Sequence, residues 1–254
     1  MRIQVLASGS KGNCTYLETE NTKILIDAGI NYLRIKRELE KINVSINDLD
    51  AIIISHIHTD HIGGLSSIIK KLNIPVFMKP DLVDAMKRII PIENIEIVDG
   101  NEITINDFNI ELISASHDVP AYGFIVESNN KSVVYLTDTG YINRKYYKLT
   151  ENKDVYIIES NHDEKMLMEG KYPYMLKQRV ISDKGHLSNR YTGKYLNKTI
   201  GKNTKYVILA HLSEHNNTPE LALAQVKEEL AENSFDTNNI IIAKQYEETE
   251  MVEI

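Results

Sequence analysis

One stretch, residues 50–65, constrains the fold more than any other. An unbroken apolar run, residues 51–54, leads directly into Ser-His-Ile-His-Thr-Asp-His. Such a run is typical of a strand buried on both faces, so residues 55–61 are predicted to form the loop at its carboxyl end. His56 and His58 are two residues apart and can point together, while Asp60 and His61 can face a second point nearby. The pattern predicts a metal centre at a strand end.

The donor types indicate which metals this centre would bind. Imidazole nitrogen and carboxylate oxygen without thiolate suit zinc, manganese or iron. Two ions about 3.5–4 Å apart are the usual arrangement for phosphoester hydrolysis. We therefore expect two divalent ions, Zn²⁺ or Mn²⁺, with Fe as an alternative. The competing interpretation is a polar surface loop, which three histidines within six residues disfavour.

Length and composition narrow the class of protein. A chain of 254 residues with 42% hydrophobic content can bury a large core, and we expect a single domain over residues 1–254. The single cysteine, Cys14, excludes an intramolecular disulfide and a cysteine-rich zinc module. This fits a cytoplasmic location. No apolar run approaches the ~20 residues of a membrane span, so no membrane partner is expected.

Charge is unevenly distributed along the chain. The net charge of −7 argues against nucleic acid as a partner. Residues 161–205, however, carry ten Lys or Arg against four Asp or Glu, whereas residues 211–254 carry two against ten. The basic segment is either a surface for nucleic acid or an ordinary solvated helix face.

Several further elements can be predicted from apolar periodicity and turn residues. Helices are expected over residues 32–41, 65–72, 80–89, 189–199 and 219–232. In the last of these, Leu221, Leu223, Val226 and Leu230 are predicted to face inward. The acidic residues 247–254 are expected to form a solvated edge.

The His-x-His-x-Asp-His pattern resembles the signature of the metallo-β-lactamase superfamily. Its fold is an α/β (α+β) four-layer αββα sandwich, in which two mixed sheets carry helices on both outer faces. The resemblance implies that Asp27, after an apolar strand, orients the ligand loop through hydrogen bonds. It also implies a ligand set for two ions: His56, His58 and His117 for one, Asp60, His61 and His211 for the other, and Asp138 between them.

Other motifs resemble the YycJ/WalJ family of metallo-β-lactamase-fold exonucleases over nearly the whole chain. They include Ala-Ser-Gly-Ser-Lys-Gly-Asn-Cys near the start, Glu-Ser-Asn-His-Asp from Glu159, and Gly-His-Leu-Ser around His186. Gly-His-Leu-Ser also resembles an element of ribonuclease Z whose histidine acts on the phosphate. This implies that His186 is catalytic or phosphate-binding and that Glu159 orients it. The inserted domain of ribonuclease J and the long arm of ribonuclease Z are both missing.

Candidate substrate contacts lie in two places. The loop of residues 8–13, with Ser8, Ser10 and Asn13, can line the site with backbone N–H groups or be a plain hairpin connection. Near His186, Ser188 can cap a helix whose start would attract an anion. The candidates on this side are His162, Ser188, Arg190 and Lys194.

These features predict metal-assisted phosphodiester hydrolysis, in which Asp60 orients the attacking hydroxide and His186 stabilises the phosphate or protonates the leaving 3′-oxygen. The resemblance implies DNA as substrate, degraded from 5′ to 3′. A ribonuclease of the same fold is an alternative, since no motif reads a 2′-hydroxyl. A thioester or lactone hydrolase is another, although it gives the basic segment no role. The sequence indicates no particular oligomeric state.

Overall fold

The computed structural model describes the whole chain, residues 1–254, which forms two compact units. Unit 1 comprises Met1–Leu112 and Lys244–Ile254, and unit 2 comprises Ile113–Ala243. Each unit contains a mixed β-sheet and helices. The single domain expected over residues 1–254 stays a prediction. None of the helices combines the length and apolar character needed to cross a membrane.

Unit 1 is built on a seven-stranded sheet of order β14-β1-β2-β3-β4-β5-β6. Its first three pairs are antiparallel, and β3 to β6 are parallel. The elements are β1 (Arg2–Ala7), β2 (Cys14–Glu18), β3 (Lys23–Ile26), α1 (Tyr32–Lys41), β4 (Ala51–Ile53), α2 (Thr59–Ile62), α3 (Leu65–Ile69), β5 (Val76–Met78), α4 (Pro80–Ile89), β6 (Ile95–Ile97), β7 (Glu102–Ile105) and β14 (Val252–Glu253). Strand β8 (Phe108–Ser114) pairs antiparallel with β7 and ends in unit 2.

Local sequence explains where the unit 1 helices begin. Asn31 precedes α1, and its side chain accepts a hydrogen bond from the Arg34 N–H, which satisfies a donor that the first helical turn leaves open. Ile35 and Leu39, four residues apart, then bury the same face of α1. Helix α4 starts with Pro80, a residue suited to the first helical position.

Unit 2 contains a sheet in which β10, β11, β12 and β13 are parallel and β9 pairs antiparallel with β10. Its elements are β9 (Tyr122–Ser128), β10 (Lys131–Leu136), α5 (Tyr147–Thr150), β11 (Val155–Glu159), α6 (Glu164–Glu169), α7 (Tyr174–Ile181), α8 (Asn189–Thr199), β12 (Tyr206–Ala210), α9 (Pro219–Glu229) and β13 (Ile240–Ile242). Tyr156 and Leu209 from the sheet pack with Leu196 of α8 and Val226 of α9 in one buried cluster. Because β10, β11, β12 and β13 are parallel, their carboxyl ends meet at one edge of this sheet.

Four sequence predictions need correction. Asp60 and His61 belong to the short helix α2 rather than to a loop. Helix α3 ends at Ile69 instead of residue 72. In α9, Leu221 is 40% exposed rather than inward, whereas Val226 and Leu230 are buried as predicted, Leu223 packs partly buried against the core, and Ala222 adds to the inner side.

The acidic tail is not a purely solvated edge. Val252 is buried, and β14 pairs antiparallel with β1. Apolar Met251 and Val252 interrupt the acidic run and supply the residue that the sheet buries. The prediction was wrong because it considered only the charge of the segment. Alternate residues of a strand face opposite sides, so one apolar residue among acidic ones can be buried.

Candidate metal centre and catalytic residues

The unit 1 ligand candidates follow strand β4 directly. His56 is buried, and its ring centroid lies 3.9 Å from that of His61 and 4.8 Å from that of His58. Helix α2 places Asp60 in its first turn and His61 one residue later. Helical backbone and the strand end thus bring the three imidazole rings close to one another.

Asp27 organises these histidines from the end of the neighbouring strand β3. Its Oδ1 accepts a hydrogen bond from the Ser55 N–H at 2.8 Å, and its Oδ2 accepts one from Ser55 Oγ at 2.7 Å. The same Oδ2 lies 2.7 Å from His61 Nδ1. Because a carboxylate only accepts, Nδ1 of His61 carries the proton, and Nε2 is the ring atom that could hold a metal ion. Asp27 holds a φ of 61°, a conformation uncommon for a residue with a side chain.

Asn13, in the loop between β1 and β2, braces the other side of this cluster. Its Nδ2 lies 3.2 Å from Asp60 Oδ2 and 2.9 Å from His61 Nε2, and its N–H donates to the Asp60 carbonyl at 2.7 Å. Gly29 is required here, since a Cβ at that position would lie 1.7 Å from the Asp60 carbonyl oxygen. The loop thereby fixes the position of Asp60.

The unit 2 candidates sit at the carboxyl ends of three adjacent parallel strands. Asp138 follows β10, Glu159 ends β11, and His211 follows β12. Asp138 and His211 both adopt φ of 55°. Two strained residues at the same sheet edge are typical of a functional site. Together with His186, these residues place one donor atom each within 4.8 Å of one another.

Glu159 is the centre of the hydrogen-bond network in this group. The carboxylate is fully buried, and its Oε1 accepts from His186 Nδ1 at 2.7 Å and from His211 Nδ1 at 2.9 Å. Its Oε2 accepts from the N–H groups of Thr139 at 3.0 Å and Leu187 at 3.2 Å. Both oxygens are thus occupied by protein donors, which suits a residue that orients the two histidines.

This network shifts two pKa values in opposite directions. Burial would raise the pKa of Glu159, but the charge of His186 and hydrogen bonds from His186 and His211 outweigh it and lower that pKa to about 2. Burial would lower the pKa of His186, but the charge and hydrogen bond of Glu159 raise it. Both shifts favour the ion pair. The His186 side chain is 22% exposed and its Nδ1 is bound to Glu159, so Nε2 is the ring nitrogen that could contact a substrate.

His117 and His162 are two further histidines near this group. The His117 ring centroid is 5.4 Å from that of His186, and burial lowers its pKa. His162 is 2% exposed, and burial lowers its pKa to about 4. A neutral imidazole can act as a ligand or as both donor and acceptor.

The remaining candidates differ in their placement. Ser188 caps α8, and its Oγ accepts from the Tyr191 N–H and donates to Glu164. Arg190 and Lys194 are exposed on α8, and Arg190 lies 3.6 Å from Glu229. On unit 1, Ser8 is buried with its Oγ 3.5 Å from Asn13 Oδ1, whereas Ser10 is exposed. Substrate contact by any of them stays a prediction.

Three supporting residues were missed from the sequence. Ser55 bonds Asp27 and lies 3.1 Å from His56 Nδ1; Asn161 donates to the His211 carbonyl at 2.9 Å; and Thr139 donates to Glu159. A polar residue beside a predicted ligand at a strand end is the only sequence signal that could have indicated them. Each unit therefore presents imidazole and carboxylate donors already oriented by hydrogen bonds, a donor set that suits a divalent metal ion.

Comparison with known proteins shows which family this chain belongs to. The profile of the beta-lactamase superfamily domain matches residues 22–212. Exodeoxyribonuclease WalJ of Streptococcus pneumoniae is 39% identical over 91% of this chain and 88% of its own length. Exodeoxyribonuclease YycJ of Bacillus anthracis is 34% identical over 92% of this chain and 91% of its own length.

Solved structures agree on the fold. The metallo-β-lactamase fold protein YhfI from Bacillus subtilis covers 99% of both chains with a TM-score of 0.74 and 18% identity. Human tRNase Z, short form, covers 100% of this chain and 99% of its own with a TM-score of 0.66 and 16% identity. The predicted fold class and family resemblance are thus confirmed: the chain has the metallo-β-lactamase fold and belongs to the YycJ/WalJ family of exonucleases.

Proposed function

We propose that this protein is a dinuclear metal-dependent exonuclease that degrades DNA from the 5′ end. The observation that carries the proposal is the buried Glu159 carboxylate, which holds the Nδ1 atoms of His186 and His211 at 2.7 and 2.9 Å. One histidine is thereby kept as a metal ligand and the other as a group for the phosphate. Relatives at 39% and 34% identity are named exodeoxyribonucleases, which supports DNA as the substrate.

Two divalent ions are the metal complement that we propose. We assign His56, His58 and His117 to one ion, Asp60, His61 and His211 to the other, and Asp138 to both, on the basis of the sequence motifs and the family. The Asp27 and Glu159 carboxylates support this assignment, because each accepts from the Nδ1 of its histidine, His61 or His211, and so keeps Nε2 deprotonated, as a ligand atom must be. When bound, two such ions supply Lewis-acid polarisation of a phosphoryl oxygen and a nucleophile at neutral pH.

The residues of the chain then have separate roles. Asp60, fixed by Asn13, orients the nucleophile, and His186 donates from Nε2 to the phosphate or to the leaving 3′-oxygen. Glu159 is a positioning residue, since it touches His186 rather than the substrate. Its hydrogen bond keeps the proton on Nδ1 and the ring in one orientation.

Attack from the 5′ end requires that a terminal phosphate be held. Helix α8 offers an anion-binding start at Ser188, with Arg190 and Lys194 beyond it. The loop of Ser8, Ser10 and Asn13 is the second element we assign to this end. A 5′-phosphate carries more charge than an internal diester and would be favoured by these groups. The cytoplasmic location expected from the single cysteine remains part of the same proposal.

The experiment compares substrates on the purified protein supplemented with Mn²⁺ or Zn²⁺. End-labelled single- and double-stranded DNA, the matching RNA and a thioester are offered in parallel, and Asp138→Ala serves as the control for contaminating nucleases. We expect mononucleotide release from DNA that the variant does not produce. Faster hydrolysis of the thioester, or of RNA, would move the protein to one of the alternative classes.

A further inference from the structure

His186 and Ser188 form one side of a cavity in unit 2, and the proposed chemistry gives no role to the rest of its lining. Its volume is about 750 Å³, within the ~300–1,000 Å³ that is typical of small-ligand sites. Four tyrosines contribute to the lining: Tyr141, Tyr147, Tyr191 and Tyr195. Four aromatic rings beside a candidate phosphate-binding histidine suit a planar ligand, which can stack on them.

The tyrosines divide into a fixed inner pair and an exposed outer pair. Tyr195 is buried, its hydroxyl donates to Thr150 Oγ1 at 2.7 Å, and its ring lies 5.3 Å from that of Tyr147 in a T-shaped contact. Tyr141 and Tyr191 are 45% and 59% exposed. A tyrosine loses little conformational entropy on binding because it has few rotatable bonds, so an exposed ring beside a cavity is a good stacking surface.

His162 adds a polar group of a specific kind to this cavity. It lines the cavity, it is 2% exposed, and its buried Nδ1 has no hydrogen-bond partner in the chain. Buried polar atoms without partners are rare and costly. The His162 carbonyl accepts from the Asn189 N–H at 2.9 Å, which fixes the backbone of His162 at the start of α8. The His162 ring therefore forms part of the cavity wall and still has an unused hydrogen-bonding nitrogen.

Charge around the cavity distinguishes between ligand classes. Arg144 lines it together with the carboxylates of Glu164 and Asp183, and Lys194, which is outside the lining, has its Nζ 5.4 Å from the Tyr191 ring centroid. A purely apolar ligand would leave His162 unsatisfied and would gain nothing from the two cations. A lone phosphate would gain nothing from four aromatic rings. A nucleobase attached to a phosphate uses all of them, since it has a π-face, polar edges and an adjoining negative charge.

We propose that this cavity is a nucleobase pocket, which receives the base of the terminal DNA nucleotide beside the cleaved phosphodiester. The base stacks on Tyr191 and Tyr141, and its edge hydrogen-bonds His162. The inference rests on the proposed function, because that function places the phosphate at the neighbouring His186. Since every base has a π-face, the pocket accepts all four bases and adds affinity without sequence specificity.

Binding can be tested without turnover, with the fluorescent nucleotide 2-aminopurine deoxyribonucleoside 5′-monophosphate as the probe. Tyr191→Ala is expected to bind it about 5- to 150-fold more weakly, which corresponds to ~1–3 kcal/mol of stacking per base. Tyr191→Phe keeps the ring and should bind within about twofold of the original protein. The matched control is Tyr174→Ala, because Tyr174 is 67% exposed on α7 and does not line the cavity. Equal affinity of the Tyr191→Ala and original proteins, or no binding to either, would overturn the proposal.

A second measurement links the pocket to DNA. For the original protein, the KM for linear DNA with an abasic 5′-terminal nucleotide should exceed the KM for intact linear DNA by a factor similar to the loss of probe affinity in Tyr191→Ala. For Tyr191→Ala itself, the KM should be equally high for both DNA substrates. Probe binding that depends on Tyr191 in a protein that does not degrade DNA would refute the proposed function and keep the pocket. DNA degradation with a KM that is unchanged by the abasic nucleotide and by Tyr191→Ala would refute the nucleobase pocket and leave the proposed function standing.

Discussion

Replacing Glu159 with Gln is the sharpest test of the unit 2 network, because it changes one oxygen of a buried carboxylate and almost no volume. The original oxygens accept four hydrogen bonds, two from histidine rings and two from backbone N–H groups. A glutamine amide has one accepting oxygen. Whichever way the amide turns, its NH₂ group faces two donors, and two of the four contacts are lost.

The magnitude follows from those contacts. A hydrogen bond to a charged group contributes about 1.5–3 kcal/mol, and the smaller cost of burying an amide offsets part of the loss. We expect the free energy of unfolding to fall by about 3 kcal/mol, as for other broken buried charge pairs. His186 would lose its fixed orientation, and a misplaced donor to the phosphate costs about 10²- to 10³-fold in kcat. Weaker orientation of His211 would lower metal affinity by about 10- to 100-fold.

The assay is DNA degradation at saturating Mn²⁺, well below the unfolding temperature, with bound metal measured by elemental analysis. The matched control is Asp154→Asn. Asp154 is also buried in unit 2 and accepts from Ser132 N and Oγ, both at 2.9 Å, away from the histidines. The control should lose stability and keep kcat. Equal kcat for Glu159→Gln and the control would refute the orienting role of Glu159.

Three further outcomes are expected. His58→Ala and His211→Ala should each lower bound metal, because each removes a ring nitrogen assigned to a different ion, and unchanged metal in both would contradict the two-ion assignment. His186→Ala should keep its metal and lose most phosphodiesterase activity, whereas parallel loss of metal would make His186 a ligand. Arg190→Ala with Lys194→Ala should flatten the salt dependence of duplex DNA binding by about 0.9 in logarithmic slope for each lost phosphate contact. An unchanged slope would leave α8 as a solvated helix face.

Sequence predicted the elements best where the boundary residues carry their own signal. Helices α1, α4 and α8 begin and end as expected, since Asn31, Pro80 and Ser188 mark their starts. Helices α6 and α7 were missed. Helix α7 buries none of its residues, so it has no apolar periodicity from which it could be read.

The site was predictable to the extent that its residues follow apolar strands. Asp138 and His211 were indicated by the family resemblance, and because both follow apolar strands, β10 and β12, the sheet determines where they lie. The fourfold contact of Glu159 was not predictable, because it depends on backbone N–H groups of Thr139 and Leu187 that only the packed chain brings together. The lack of a hydrogen-bond partner for His162 Nδ1 could not be predicted either, because it also depends on how the chain packs.

Digestion of closed circular and linear duplex DNA of the same sequence tests the central claim most directly. Both forms are incubated with the protein under identical Mn²⁺ and salt conditions, and the linear form carries either a 5′-phosphate or a 5′-hydroxyl. We predict that the circle persists, that the linear form is degraded from its 5′ end, and that the 5′-phosphate is preferred. Degradation of intact circles as fast as linear DNA would contradict an exonuclease and indicate an endonuclease.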